Sequence, residues 1–129
     1  MNAPEFLTLA ELLEIHRFQI ESHGGSHGIR DRGLLESALA VPEVSFDGEL
    51  LHKSLFAMAA AYAYHIAENQ PFIDGNKRAA FGAALVFLEI NGVTIDDPDG
   101  RLYEAMIAIA KRGLSKDELA ALLEGLAKS

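Results

Sequence analysis

Two apolar runs separated by a short polar loop constrain the fold of this chain more than any other sequence feature. Residues 55–64 and residues 79–88 contain no charged side chain and are rich in alanine. Each run is well short of the roughly 20 apolar residues that cross a bilayer. They therefore predict two central helices that are buried on most of their surface. The loop between them, residues 70–78, lies where two rigid elements meet, a common location for function.

The composition predicts a single compact domain spanning residues 1–129. Half of the residues are apolar, and a chain of this length buries about two-thirds of its unfolded surface. The chain has no cysteine, which excludes disulfides and thiolate sites and fits a reducing compartment. The net charge of −8 disfavours general binding to nucleic acid or to anionic membranes. The first five residues lack the pattern of a signal peptide, so we expect a cytoplasmic protein.

Capping signals and apolar spacing predict about six helices, and hence an all-α bundle around the two central ones. Thr8 and Ser115 each precede a glutamate at the spacing of a capping box. Asp31 can cap the second helix, and Pro98 is expected at the first helical position of the fifth. The predicted helices span about residues 8–23, 31–42, 49–69, 75–92, 97–113 and 115–126.

The connections are predicted from glycine and proline. Residues 24–28 contain three glycines and should end the first helix; a phosphate loop is the alternative, although no strand precedes it. Pro42 should close the second helix because the residue before a proline avoids the helical region. Residues 42–48 could form a short strand or flap, with Asp47-Gly48 as its turn.

The loop before the second central helix has the composition of an anion site. The first turn of a helix leaves N–H groups without partners, and the helix dipole adds positive potential there. Lys77 and Arg78 carry positive charge at the positive end of the dipole, so they are unfavourable there unless a bound anion offsets them. Arginine is also suited to bidentate contact with phosphate. Asp74 could hold Mg²⁺ while phosphates complete the coordination. Alternatively, Asp74 only caps the helix, and the two cations are solvated.

The sequence Pro-Phe-Ile-Asp-Gly-Asn-Lys-Arg at residues 71–78 resembles the signature of the Fic/Doc superfamily. It is most similar to the Doc, or death-on-curing, branch of toxin–antitoxin systems, whose motif reads His-x-Phe-x-Asp-(Gly/Ala)-Asn-Lys-Arg. Further matching segments, which extend the resemblance to about residues 9–95, are Gly24-Gly25, residues 28–31, residues 34–39, residues 84–88 and Asn91-Gly92. The resemblance implies a compact helical fold that binds a nucleoside triphosphate such as ATP.

The resemblance also implies a reaction. Fic proteins with Gly-Asn-Gly-Arg typically transfer AMP to a hydroxyl, whereas the Doc branch transfers the γ-phosphate, in the known toxin to a threonine of elongation factor Tu. Lys77 replaces the second glycine and therefore favours phosphate transfer, with AMP transfer as the alternative. By the same resemblance, Asp74 would bind Mg²⁺, Gly75 and Asn76 would form an anion hole, and Lys77 and Arg78 would hold phosphates.

Gln70 departs from this motif, because the family has a histidine there as the general base. An amide cannot accept the proton, and a positioned base contributes typically about 10²–10⁴-fold to the rate. Activity is therefore expected to be impaired, and a catalytically inactive module that binds nucleotide or a partner is the non-enzymatic alternative. His65 is expected to be a core histidine rather than a substitute base, and His52 has a weaker claim still.

Regulation is expected to come from a separate protein. Many Fic proteins are silenced by a helix with Ser/Thr-x-x-x-Glu-(Gly/Asn), but this chain has Ala120 before Glu124-Gly125. The resemblance instead implies an antitoxin whose helical segment docks into an apolar groove. The first and the C-terminal helices are the candidate sites for that groove. Residues 41–49 correspond to the family's flap for docking its protein target.

Overall fold

Six α-helices make up most of the computed structural model, which describes residues 3–128. In chain order they are α1 (Leu9–His23), α2 (Arg32–Ala40), α3 (Leu55–Asn69), α4 (Asn76–Ile90), α5 (Arg101–Ala110) and α6 (Lys116–Leu126). A 3₁₀ turn, Val41–Glu43, follows α2, and an antiparallel hairpin of β1 (Ser45–Phe46) and β2 (Glu49–Leu50) precedes α3. The predicted all-α class and number of helices are confirmed. Within these residues no helix is long and apolar enough to cross a membrane.

The core forms around α3 and α4, the two helices predicted to be central. Residues 58–63 of α3 are all buried, and residues 79–81, 83–84, 87 and 88 of α4 are buried with them. The remaining helices add buried leucines such as Leu12, Leu35 and Leu119 to the same cluster. Tyr62 lies in the middle of the cluster, where its hydroxyl accepts a hydrogen bond from the Leu7 N–H at 3.0 Å. This bond anchors the segment before α1 to the core.

The predicted helix caps are confirmed, and they define where three helices begin. Thr8 and Ser115 both form complete capping boxes, with side-chain and backbone bonds in each direction. The Asp31 carboxylate accepts the Leu34 N–H at 3.0 Å. Each of these bonds satisfies an N–H group that the first turn of a helix leaves unpaired.

Two predicted helix starts are wrong. The third helix begins at Leu55 rather than near Glu49, because Glu49 is paired in the hairpin and Ser54 caps the helix. The fifth helix begins at Arg101 rather than at Pro98. Asp97 still caps it from the preceding loop, since its carboxylate accepts the N–H groups of Arg101 and Leu102 at 2.8 and 2.9 Å.

The segment between α2 and α3 differs in detail from its prediction. Val41, the residue before Pro42, keeps helical angles of φ −55° and ψ −44°, so α2 passes into the 3₁₀ turn instead of stopping there. The expected flap is confirmed as the β1–β2 hairpin, with Asp47 and Gly48 at positive φ in its turn. Phe46 lies on this hairpin and is 72% exposed.

Candidate functional site

The loop between α3 and α4 begins and ends with residues in the left-handed conformation. Gln70 caps the C-terminus of α3 with φ 47° and ψ 57°, and Gly75 precedes α4 with φ 73°. Between them, Pro71 and Phe72 are buried, whereas Ile73 and Asp74 are exposed. The loop is therefore anchored in the core by its first half and presents its second half at the surface.

Asn76 holds the loop closed through its side chain. Its Oδ1 accepts the Phe72 N–H at 2.9 Å, and its Nδ2 donates to the Phe72 carbonyl at 3.0 Å. Both ends of the amide are thus used within the loop. Asn76 therefore has a structural task in the loop, which the sequence pattern did not indicate.

His16 of α1 fixes the same loop from the other side. Its Nε2 donates to the Asp74 carbonyl at 2.8 Å, and its ring stacks on Phe72 with centroids 3.8 Å apart and planes 4° from parallel. His16 is only 4% exposed. The helical periodicity of α1 places His16 on the buried face, but it does not indicate these two contacts.

The glycine-rich segment after α1 packs directly against the loop. The Ser26 N–H donates to Asp74 Oδ2 at 3.2 Å, and the Ile73 N–H donates to the Gly28 carbonyl at 3.0 Å. Gly25 has φ +117°, and a Cβ there would lie 2.8 Å from Asp74 Oδ2. A side chain at this position would be strained in conformation and would have to displace the Asp74 carboxylate. The glycine-rich segment therefore supports the loop, and its Ser26 N–H is already bonded to the Asp74 carboxylate.

Arg30 binds the end of α3 and so determines where residue 70 lies. Its Nε donates to the Gln70 carbonyl at 2.7 Å, and a terminal guanidinium nitrogen donates to the Asn69 carbonyl at 2.8 Å. A cation at a helix C-terminus interacts favourably with the dipole and with unpaired carbonyls. The Gln70 backbone is thereby fixed, while its side chain is exposed.

A cavity of about 490 Å³ opens beside the loop and brings together all the site residues predicted from the sequence. Lys77 and Arg78 are exposed in it, and neither has a carboxylate within 4 Å among residues 3–128. In the same residues, the N–H groups of Asn76, Lys77 and Arg78 have no protein acceptor. The cavity is lined by Ala67, Gln70, Ile73, Asp74, Gly75, Asn76, Lys77, Arg78, Tyr103, Met106 and Ile107.

The Asp74 side chain does not cap α4, so the capping alternative is wrong. The cap position belongs to Gly75, without a side-chain bond, and Asp74 Oδ1 accepts the Gly75 N–H at 2.9 Å. Each carboxylate oxygen keeps a free lone pair beside its one N–H partner. Residues 3–128 hold no cluster of three or more histidine or carboxylate side chains suited to a metal. The one carboxylate in the cavity lining, Asp74, is the kind of donor by which Mg²⁺ can be held together with water and substrate phosphates.

The two histidines considered as substitute bases lie outside this cavity. The Nε2 atoms of His52 and His65 lie 3.2 and 3.1 Å from Lys116 Nζ. Burial, followed by the charge of Lys116, lowers the pKa of both imidazoles, which favours neutral rings that accept from the ammonium. Glu124 likewise lines a different depression, beside Lys53 and Asn91.

Comparison with known proteins identifies the family. A family model described as Fic/DOC family matches residues 6–88, which include α3, the loop and all but the last two residues of α4. The chain belongs to the Fic/Doc family. It is 40% identical to Toxin Doc of Mycolicibacterium smegmatis over 106 residues, which are 81% of this chain and 82% of that protein. It is 32% identical to Protein kinase doc of Escherichia phage P1 over 117 residues, 90% of each chain. The predicted resemblance to the Doc branch is confirmed.

Proposed function

We propose that this Doc-branch protein is a toxin that transfers the γ-phosphate of a nucleoside triphosphate, such as ATP, to a protein hydroxyl. The observation that carries the proposal is the cavity in which free N–H groups of α4, Lys77, Arg78 and the Asp74 carboxylate converge. Phosphoryl transfer depends almost entirely on positioning and electrostatic stabilisation, and these are the groups that supply both. The name of the phage relative, Protein kinase doc, favours phosphate over AMP.

Each group has a distinct task in this proposal. The N–H groups at the start of α4 would receive phosphate oxygens, as helix N-termini do in other phosphate sites. Arg78 would bind two oxygens with its planar guanidinium, and Lys77 would add a point charge. Asp74 would hold Mg²⁺, which supplies charge neutralisation to the phosphates when bound. His16 and Asn76 would keep the loop in the shape that presents these groups.

Gln70 is the reason to expect a weak enzyme. Its side chain is exposed in the cavity and has no hydrogen-bond partner among residues 3–128, so it can contact an incoming hydroxyl. An amide orients that hydroxyl but cannot accept its proton. We expect the rate to be lower by about 10²–10⁴-fold than that of a version with a base at this position.

The test is transfer of labelled phosphate. The native protein and a Gln70→His variant are incubated with Mg²⁺, γ-labelled ATP and purified elongation factor Tu, the proposed target, and in parallel with cell extract. We expect label in protein, much faster with the histidine variant, and lost in an Arg78→Ala control. No labelled protein from the histidine variant would refute the proposal. Label that arrives only from α-labelled ATP would mean AMP transfer.

A nucleotide-binding module without turnover is the second candidate, and Gln70 is the observation that favours it. In that case the native protein binds ATP, but neither α- nor γ-label reaches protein even on prolonged incubation. Activity of the Gln70→His variant cannot decide whether the native protein turns over, because that variant has a general base that the native protein lacks. The native sequence must therefore be assayed at high enzyme concentration.

The hairpin and one groove are the surfaces we propose for macromolecular partners. Val44, Phe46 and Leu51 are exposed apolar residues on or beside the hairpin, which would dock the protein target. The antitoxin helix would lie in a depression of about 710 Å³ next to the start of α3 and the end of α4. This depression contains Phe56, Ile90 and, from the C-terminal helix α6, Glu124, but no residue of α1. Co-expression with an antitoxin that binds there should protect cells, and Phe56→Glu in the toxin should weaken that protection.

A further inference from the structure

We infer that α5 carries the subsite for the nucleobase, with the ring of Tyr103 as the surface on which the base stacks. The inference rests on the proposed nucleotide function and specifies where the nucleoside part of the ligand lies. Met106 and Ile107 complete this wall of the cavity.

The helix α5 has more apolar surface than its packing requires. Leu102, Ala105 and Ile109 are buried and attach α5 to the core. Tyr103 and Ile107 follow one helical turn apart and remain 62% and 39% exposed. Residues four apart lie on one face of a helix. The two therefore form a second apolar stripe that the core leaves uncovered.

This stripe faces the same cavity as the phosphate-binding groups. The cavity, at about 490 Å³, lies within the range of roughly 300–1,000 Å³ that small-molecule and cofactor sites occupy. Arg78, Tyr103 and Met106 also line an adjoining depression of about 260 Å³. Since both hollows share these residues, Tyr103 and Arg78 border the same space. A ligand with its phosphates at the start of α4 thus extends along α5.

The chemistry of this wall predicts how the base is held. An aromatic ring stacks on any base because every base has a π-face. The Tyr103 hydroxyl is the one polar side-chain group that α5 adds to the cavity lining, because Met106 and Ile107 offer no hydrogen-bond donor. The base is therefore stacked rather than read along its edge. ATP and GTP should consequently bind with similar affinity.

The test compares two ligands by calorimetry on the wild type, two Tyr103 variants and one control variant. Full-length wild type, Tyr103→Ala and Tyr103→Phe are titrated with Mg-ATP and with magnesium tripolyphosphate, which has no base. We expect Tyr103→Ala to weaken ATP binding roughly 5- to 140-fold and to leave tripolyphosphate binding unchanged. Tyr103→Phe should bind ATP like the wild type. Phe18→Ala is the matched control, because Phe18 is similarly exposed at 64% and does not line the cavity.

The outcomes separate this inference from the proposed function. If tripolyphosphate binds and Tyr103→Ala leaves ATP affinity unchanged, the nucleobase subsite is refuted while the phosphate site stands. If Tyr103→Ala lowers only the labelling of the protein target, Tyr103 contacts that target, and the inference is equally wrong. If neither ligand binds any of the proteins, the nucleotide function fails, and the subsite fails with it.

Discussion

The contact between His16 and the loop gives the sharpest test of how the site is built. Two substitutions separate its two parts. His16→Phe keeps an aromatic ring on Phe72 but removes the donor to the Asp74 carbonyl, whereas His16→Gln keeps an amide donor and removes the ring. The hydrogen bond is 2.8 Å long and the ring centroids are 3.8 Å apart. Both contacts are short, so the loss of either should have a measurable effect on stability.

The expected losses follow from the environment of each contact. A buried acceptor left without a donor costs about 1–3 kcal/mol, and this bond is only partly buried, so we expect about 1–2 kcal/mol for His16→Phe. Loss of the aromatic pair in His16→Gln should cost about 0.5–1.5 kcal/mol. If all of the lost free energy destabilises the anion-binding form of the loop, the anion affinity of His16→Phe drops by roughly 5- to 30-fold.

Guanidinium chloride unfolding gives the stability of each variant, and calorimetry with magnesium tripolyphosphate gives the affinity of the loop for an anion. We expect His16→Phe to lower both the stability and the anion affinity, and His16→Gln to lower the anion affinity less. A His16→Phe protein that is less stable but binds tripolyphosphate as tightly as wild type would show that His16 is only a core residue. Unchanged stability would show that the hydrogen bond contributes nothing.

Three further predictions concern stability alone. Burial raises the pKa of Tyr62 to about 12, so stability should be full below pH 10 and fall as the pH rises towards 12, and Tyr62→Phe should flatten this fall. The lowered pKa values of His52 and His65 mean that only the unfolded chain gains protons just below pH 6.5. The free energy of unfolding should therefore fall as the pH drops below 6.5, and it should fall less in a variant with glutamine at both His52 and His65. Asp97→Ala should cost about 0.5–2 kcal/mol through the lost cap, measured against Asp99→Ala, which should stay within about 0.5 kcal/mol.

Local signals were enough to predict most of the fold. A cap such as Thr8 or Asp31 acts on N–H groups two or three residues away, so its effect is visible in a short stretch of sequence. The two alanine-rich runs fixed the central helices, because nothing but a buried position suits so many small apolar residues. The start of α3 could not be predicted in this way, because Glu49 pairs with Phe46 in the hairpin and so lies outside the helix.

The support of the site depends on contacts between distant parts of the chain. His16 and Asp74 are 58 positions apart, and Arg30 and Gln70 are 40 apart, so no spacing rule connects them. The cations and the glycine of the loop could be read from the sequence, because a helix start makes basic residues unusual. The apolar wall of α5 could not, because Tyr103 differs from a core aromatic only in the direction it faces.

The backbone conformation at residue 70 determines which side chains this position tolerates. A non-glycine residue in the left-handed region costs about 1–2 kcal/mol, with asparagine, aspartate and histidine found there most often. Gln70 is held in this region by the end of α3 and by Arg30. We therefore expect Gln70→His to keep the free energy of unfolding within about 0.5 kcal/mol, and Gln70→Val to lower it by 1 kcal/mol or more, since β-branched residues are outliers at positive φ.

Unfolding in guanidinium chloride would measure this order, and equal stability of the valine and glutamine proteins would show that the left-handed conformation is not imposed. This order of stabilities bears on function because residue 70 ends α3, whereas the groups proposed to bind an anion belong to α4. The loop between the two helices is closed by Asn76 and His16, not by the Gln70 side chain. We therefore expect that a base can be gained or lost at residue 70 without disturbing the proposed phosphate site, so that binding and turnover vary separately.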